Sequence, residues 1–154
     1  MSADKAHYED LAVGTELRFG DEPVTREDVL EFARKYDPQP FHLDDEAAAA
    51  GPFGKLAASG WQTAAFSMRM LADHVLSHQA GMGGAGTDNL RWHRPVYPGD
   101  RLSCRLVLNG KRRSSSRPEM GLMFLHLETL NQHGEVVMSY DSTGMIRVRH
   151  PERD

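Results

Sequence analysis

The sequence has almost no cysteine, since Cys104 is the only one among 154 residues. A single cysteine excludes an intramolecular disulfide and a cysteine-rich metal site, and it fits a reducing compartment. No apolar run approaches the ~20 residues that a membrane-spanning helix needs. The N-terminus is polar and lacks the hydrophobic segment of a secretory signal. We therefore expect a cytoplasmic protein without a membrane segment.

The composition also lacks the features of disordered and of nucleic-acid-binding chains. Glycine and proline contribute only 14 and 8 residues, too few for a low-complexity or collagen-like chain. The formal net charge of −4 argues against general binding to nucleic acid. Because no repeat or linker interrupts a chain of this length, we expect one domain over residues 1–154.

Three helices are predicted in the first half of the chain. Thr25 suits the N-cap of a helix that ends before Pro38. Asp44 or Asp45 can cap a short second helix. A third helix is predicted over residues 59–77, with Ser59 as its N-cap, and its apolar side chains cover much of its circumference. We therefore expect this third helix to be largely buried.

The second half changes to the two-residue period of β-strands. The apolar residues that alternate there with polar ones are Leu102, Cys104, Leu106 and Leu108. Further strands are predicted over residues 16–20, 89–93, 121–130 and 135–149. Helices followed by antiparallel strands indicate an α+β fold, with a sheet wrapped around the buried third helix.

The run DPQPFH at residues 37–42 places a carboxylate and an imidazole five residues apart. Two prolines stiffen this loop, and rigidly held loops are where catalytic groups tend to lie. Asp37 and His42 can share one water molecule and move protons in both directions near neutral pH. From these residues alone a structural interpretation stays open, in which Asp37 ends the helix and His42 is a surface loop residue.

Three runs of residues together resemble the MaoC-like dehydratases, the (R)-specific enoyl-CoA hydratase family. Residues 37–42 resemble the family signature D-x-N-P-x-H, and GKLAASGW at residues 54–61 resembles the lead into the family's central helix. RWHRPVYPGD at residues 91–100 resembles its R-[FW]-x-x-P-V-x-P-G-D strand and turn. The resemblance implies an α+β hotdog fold, an antiparallel sheet wrapped around one long helix, and a homodimer.

The resemblance also implies a reaction, in which water is added to a 2-enoyl thioester or removed from a (3R)-3-hydroxyacyl thioester. Asp37 and His42 would activate the water. The backbone N–H of Gly60 would stabilise the thioester oxygen, with Ser59 and Gln39 completing the oxyanion and substrate-binding site. The substrate would be a thioester of coenzyme A or of an acyl-carrier protein, and no cofactor or metal is expected.

Two residues depart from the family pattern. Gln39 stands where the signature has asparagine, and its extra methylene moves the amide by about 1.5 Å. Met68 stands where some members carry a serine, and Ser67 beside it points about 100° away around the helix. These departures favour one alternative function, a non-catalytic module that binds acyl thioesters or partner proteins. The other alternative is a hotdog thioesterase.

A basic cluster lies at the tip of a predicted hairpin. It contains Arg112, Arg113 and Arg117. Arginine forks suit the phosphates of coenzyme A, so these residues are candidate phosphate contacts. The alternative is a solvated connection between two strands.

Three other patterns resemble functional motifs. Residues 81–86 fit G-x-G-x-x-G, but they follow a helix and precede a strand, so we expect a flexible loop rather than a dinucleotide site. His74 and His78 have a spacing that can grip a metal, but no third ligand is evident. Cys104 alternates with apolar strand residues and is expected in the core.

Overall fold

The fold places five antiparallel strands against one long helix. A computed structural model describes residues 4–153. The helices are α1 (Arg26–Tyr36), α2 (Asp45–Ala49) and α3 (Gly60–His74), and short 3-10 turns lie at Tyr8–Asp10, Pro40–His42 and Leu76–His78. The strands are β1 (Glu16–Pro23), β2 (Gly81–Trp92), β3 (Arg101–Arg113), β4 (Met120–Leu130) and β5 (Val136–Arg147). They pair antiparallel in the order β1-β3-β4-β5-β2. Within residues 4–153, none of the helices has the length and apolarity that a bilayer crossing requires.

The main core lies between α3 and the sheet, which confirms the expected α+β hotdog fold. The four alternating residues of β3 are all buried, as predicted: Leu102, Cys104, Leu106 and Leu108. Met70 and Leu71 of α3 belong to the same cluster as the first three, together with Leu127 of β4. Each such side chain contributes roughly 1.5–3 kcal/mol to the free energy of unfolding when fully buried. The alternation in β3 therefore selects the face of the sheet that receives the helix.

Local signals define the starts of the first two helices, as predicted. Thr25 Oγ1 accepts a hydrogen bond from Asp28 N–H at 3.1 Å. Asp44 Oδ2 accepts one from Ala47 N–H at 2.9 Å. The end of α1 also agrees with the prediction, because the helix stops at Tyr36, ahead of two prolines. The chain then enters the loop that carries the candidate site.

The helix α3 is only partly buried, so the expectation of a largely buried helix is wrong. Its buried polar residues are Gln62, Thr63 and Ser67. Ser67 Oγ donates to Thr63 O at 2.7 Å and shares a hydrogen bond with Thr129 Oγ1 at 2.6 Å. The opposite side of the helix exposes 57% of Trp61 and 48% of Met68. A single helix on an open sheet buries only the side that faces the sheet, whatever the residues on its other side.

Residues 81–86 are part of β2, so the predicted flexible loop is wrong. Their backbone pairs with residues 143–146 of β5, with two shifts of register. Gly83 has φ +108°, a conformation in the left-handed region that glycine tolerates. The low strand propensity of glycine is overcome because β5 supplies hydrogen-bond partners along residues 143–146. The strand predicted at residues 89–93 is the end of β2.

Glu9 ties the segment before β1 to the residues after β5. Its carboxylate accepts hydrogen bonds from Arg149 N–H at 2.9 Å and from His150 N–H at 3.0 Å. Desolvation raises the pKa of Glu9, but these backbone donors and the charge of His150 lower it by more, to about 2. The carboxylate therefore stays ionised well below neutral pH.

We expect Glu9→Gln to lower the stability at neutral pH but not in strong acid. The pKa of Glu9 is lower in the folded chain than in the unfolded one. Its contribution to the free energy of unfolding is therefore present above about pH 4.5 and is lost as the pH falls towards 2. Urea unfolding across this pH range measures the difference in the free energy of unfolding between Glu9→Gln and the wild-type protein. Glu22→Gln is the control, and a difference for Glu9→Gln that stays constant with pH would contradict the expectation.

Candidate active site

The loop after α1 brings Asp37 and His42 together. Pro38 prevents the helix from continuing, and the 3-10 turn Pro40–His42 directs the imidazole inward. His42 Nε2 lies 3.4 Å from Asp37 Oδ2, and the two side chains expose only 6% and 15% of their surface. The two residues singled out in the sequence are therefore neighbours in a sheltered position.

The imidazole of His42 has a defined tautomer. Nδ1 lies 2.7 Å from the backbone oxygen of Ala57, and since a carbonyl only accepts, Nδ1 carries the proton. In the neutral ring Nε2 then presents its lone pair towards Asp37. The ring packs against Phe41 and Phe53, with centroids 4.7 and 6.1 Å away. These contacts hold Nε2 in one orientation, as a general base requires.

Two side-chain donors hold the carboxylate of Asp37, one on each oxygen. Gln39 Nε2 donates to Oδ1 at 2.6 Å, and Ser59 Oγ donates to Oδ2 at 2.7 Å. Desolvation raises the pKa of Asp37, but these hydrogen bonds and the charge of His42 lower it by more, to below its ordinary value. Asp37 is therefore ionised at neutral pH. The glutamine in place of the signature asparagine contacts the carboxylate directly.

The first turn of α3 supplies a free backbone donor. Ser59 is its N-cap, as the sequence indicates, and its Oγ accepts a hydrogen bond from Trp61 N–H at 3.2 Å. Among residues 4–153, no acceptor is bonded to the N–H of Gly60. This N–H lies at the positive end of the helix dipole, in a residue that lines a pocket. It is therefore suited to stabilise an oxyanion.

Trp92, at the end of β2, lies directly over Gly60. Its Nε1 donates to Gly60 O at 2.9 Å. Its ring is 2.5 Å from the point that a Cβ on residue 60 would occupy, so only glycine fits there without displacing the indole. Trp61 contacts Trp92 edge to face, with centroids 5.0 Å apart. These contacts were not anticipated from the sequence, although Trp92 stands in the third family-like run.

The three family-like runs meet at one pocket of about 560 Å³. Two hydrogen bonds join the first run to the second: Ser59 Oγ donates to Asp37, and His42 Nδ1 donates to the backbone oxygen of Ala57. Ala58 N–H donates to Val96 O at 2.8 Å and joins the second run to the third. The pocket is lined by residues that include Asp37, Gln39, His42, Gly60, Trp61 and Trp92. Ser59 lies behind this wall, fully buried, and contacts the carboxylate of Asp37 rather than the pocket.

A second cavity, of about 540 Å³, lies between α3 and the strands β2 and β5. Met68 and Leu71 line it from the helix, and Tyr140 lines it from the sheet. Met68 is therefore in a different cavity from Asp37. Ser67 is buried against Thr129, which agrees with the expectation that it cannot take over the position of its neighbour.

The basic cluster at the β3–β4 hairpin does not line the pocket of Asp37. Arg113 donates to the backbone oxygens of Pro118 and Pro151 at 3.0 and 3.1 Å, and also to that of Arg153. Arg117 forms an ion pair with Glu119 at 2.9 Å. Within the described residues 4–153, the side chain of Arg112 donates a hydrogen bond only to the backbone oxygen of Arg113, at 3.5 Å. Contact of these arginines with coenzyme A phosphates stays a prediction.

The remaining sequence candidates lie away from this pocket. Cys104 is buried, as expected. Burial raises the pKa of its thiol to about 11, although the hydroxyls of Thr129 and Ser67 act to lower it. His74 packs near Phe19, with ring centroids 5.8 Å apart. In the part of the chain that the structure describes, no three His, Cys, Asp or Glu side chains are grouped as metal ligands.

Comparison with known proteins gives similarities over most of the chain. Residues 9–124 match the MaoC like domain family. The MaoC-like dehydratase from Rhodospirillum rubrum is similar at TM-score 0.85 and 39% identity, over 94% of this chain and 98% of that one. The R-hydratase PhaJ1 from Pseudomonas aeruginosa is similar at TM-score 0.69 and 26% identity, over 91% and 84% of the two chains. The uncharacterized protein YdeM of Bacillus subtilis is 29% identical over 124 residues, which are 80% of this chain and 86% of that protein.

We expect Gly60→Ala to displace Trp92 and to destabilise the protein by about 1–3 kcal/mol, the usual effect of overpacking. The added methyl group would occupy the place of the indole, and the hydrogen bond to Gly60 O would be lost. Urea unfolding and tryptophan fluorescence measure the two effects. Gly81→Ala is the matched control, because a Cβ there meets no atom within 4 Å. Unchanged emission and stability in Gly60→Ala would contradict the described contact.

Proposed function

This chain belongs to the MaoC-like dehydratase family, and we propose that it catalyses hydration and dehydration of acyl thioesters. Water is added to the 2,3-double bond of a 2-enoyl thioester, or removed from a (3R)-3-hydroxyacyl thioester. One observation carries this proposal: Asp37, His42 and Gly60, whose N–H is free, line one pocket. The similarity to an R-hydratase supports the reaction and its (R) configuration. The thioester is the substrate, and no cofactor or metal takes part in the proposed chemistry.

His42 and Asp37 divide the proton transfer between them. In the hydration direction His42 Nε2 accepts one proton from water while the water oxygen attacks C3. Asp37, an anion held on both oxygens, orients the water and stabilises the imidazolium. The electron pair of the double bond moves through C2 to the thioester oxygen. A proton from the imidazolium then bonds to C2, so one water molecule is added and the thioester bond stays intact.

The enolate that forms in this step places negative charge on the thioester oxygen. The free N–H of Gly60 is the donor that would stabilise this charge. It is preorganised because Ser59 caps the helix and Trp92 holds the carbonyl of Gly60. Such a donor favours the enolate over the neutral thioester, because its hydrogen bond strengthens as charge develops.

Two alternative functions would use the same pocket. A thioesterase would hydrolyse the thioester and release a free thiol, and a binding module would hold the thioester without turnover. The replacement of asparagine by Gln39 motivates the binding module. However, the amide of Gln39 donates to Asp37 Oδ1 at 2.6 Å, so the carboxylate of Asp37 still has a hydrogen bond from a side-chain amide. This contact favours the hydratase over the binding module, and the release of free thiol separates the hydratase from the thioesterase.

We expect Asp37→Asn and His42→Ala each to lower the rate of hydration by about a hundredfold or more. Loss of the conjugated double bond is followed with a panel of 2-enoyl-CoA thioesters of varied length and branching, while free thiol is measured in parallel. Both variants remove a group that contacts the reacting water. Thiol release by the wild-type protein would contradict hydration and favour the thioesterase.

A second Asp–His pair offers a matched control. His126 Nδ1 lies 2.7 Å from Asp141 Oδ1 outside the pocket, on strands β4 and β5. Asp141→Asn and His126→Ala remove the same chemical groups from a position that does not line the pocket of Asp37. Their rates should equal that of the wild-type protein. Equal losses in both pairs of variants would indicate a general effect on folding rather than catalysis.

We also propose a homodimer in which α3 and β2 face a second copy. The strand β2 is an edge of the sheet, and Trp61 and Met68 expose apolar surface beside it. Covering this surface would remove apolar side chains from water. Coenzyme A or an acyl-carrier protein as thioester carrier, and a cytoplasmic location, stay predictions.

We expect Met68→Lys to shift the sedimentation of the protein from a dimer to a monomer. A charge placed at a partly exposed apolar contact opposes its burial against a second copy. Leu17→Lys is the matched control, because Leu17 is exposed on β1 at the other edge of the sheet. A wild-type protein that sediments as a monomer would contradict the proposal.

A further inference from the structure

Ser59 makes two hydrogen bonds that face in different directions. It is fully buried, and its Oγ accepts a hydrogen bond from Trp61 N–H at 3.2 Å in the first turn of α3. The same Oγ lies 2.7 Å from Asp37 Oδ2. Because a carboxylate only accepts, the single hydroxyl proton of Ser59 is donated to Asp37.

A helix cap needs only the first of these hydrogen bonds. Thr25 caps α1 and Asp44 caps α2 through an accepting oxygen alone. The donation from Ser59 to Asp37 is therefore additional to capping. It joins the carboxylate to the residue that precedes the free N–H of Gly60.

We propose that Ser59 is a positioning residue, which holds the ionised carboxylate of Asp37 against His42 and at a fixed distance from the N–H of Gly60. This inference rests on the proposed function for its effect on the rate. Gln39 holds the other oxygen of the carboxylate from the opposite side. With both oxygens held, the carboxylate cannot rotate away from the imidazole.

The surroundings of Asp37 make this contact important for its ionisation. His42 is the titratable group that faces the carboxylate directly, at 3.4 Å. His93 and Arg94 lie on the same pocket wall, and the guanidinium of Arg94 is paired with Glu135 at 2.8 Å. Desolvation opposes ionisation of Asp37, and the hydrogen bonds from Gln39 and Ser59 reverse this effect. Removal of the Ser59 donor should therefore raise the pKa of Asp37.

Two variants of equal size separate the donor from the cap. Ser59→Asn keeps an oxygen for Trp61 N–H and an N–H group for Asp37. Ser59→Asp keeps the oxygen but replaces the donor by a carboxylate, whose negative charge adds to the rise in the pKa of Asp37. The titration of Asp37 is read by carbon-13 NMR of labelled aspartate carboxyls, assigned through Asp37→Asn. We expect the midpoint in Ser59→Asp to lie at least about one pH unit above that in Ser59→Asn. Equal midpoints would overturn the proposal.

Ser59→Ala removes the donor without adding volume at residue 59, and the titration of Asp37 is measured in the same way. Its Asp37 midpoint should rise by about one pH unit, since one hydrogen bond to a charged group is lost. Thr25→Ala is the matched control, because it removes a helix cap that does not contact Asp37. A Ser59→Ala protein that loses stability as Thr25→Ala does, with an unchanged Asp37 midpoint, would show that Ser59 is only a cap.

Kinetics then test the action of Ser59 through Asp37. Ser59→Ala should lower kcat by about tenfold with little change in KM. In an Asp37→Asn background the same change should have no further effect on kcat. A further tenfold loss in that background would overturn the proposal. The NMR titration needs no substrate. It therefore tests the effect of Ser59 on Asp37 even if the protein has no hydratase activity.

Discussion

The hydrogen bond from Ala58 N–H to Val96 O, 2.8 Å long, holds residues 57–60 in place, and the candidate site depends on this short segment. Within it, the backbone oxygen of Ala57 orients His42, the hydroxyl of Ser59 holds Asp37, and Gly60, with its free N–H, lines the pocket. Because one stretch of backbone carries all three groups, the imidazole of His42, the carboxylate of Asp37 and the N–H of Gly60 keep a fixed mutual geometry. Preorganisation of this kind is what lets a site stabilise charge without reorganising during the reaction.

The central helix that begins at this segment is itself located by a polar contact in the core. Ser67 and Thr129 are both fully buried and share a hydrogen bond of 2.6 Å. An unpaired buried hydroxyl is costly, so a shift of α3 along the sheet would be opposed at this point as well as by apolar packing. The helix start therefore stays below Trp92, whose indole fills the space that Gly60 leaves open. The core and the candidate site are thus linked through the same helix.

Sequence signals were most informative where the responsible contacts are short in range. Thr25 and Ser59 were predicted correctly as caps, and Asp44 was one of two candidates for the cap of α2. Each cap depends on hydrogen bonds within three residues. The interpretation of residues 81–86 failed, because their glycines have low strand propensity and their partner strand lies far along the chain. The burial of α3 was overestimated for a related reason: the number of apolar residues on a helix does not reveal how many of its sides find a neighbour within one chain.

By itself the sequence determined the helix starts, the alternation that builds the core face of β3, and the residue types of the Asp37–His42 pair. Each of these depends on residues a few positions apart, so local physical chemistry is sufficient. Only the tertiary structure decided that Ser59 donates to Asp37 and that Trp92 lies over Gly60. These contacts join residues 22 and 32 positions apart. Their geometry is set by the way the helix, the loop and the sheet pack together. No local sequence pattern encodes contacts between residues so far apart in the chain.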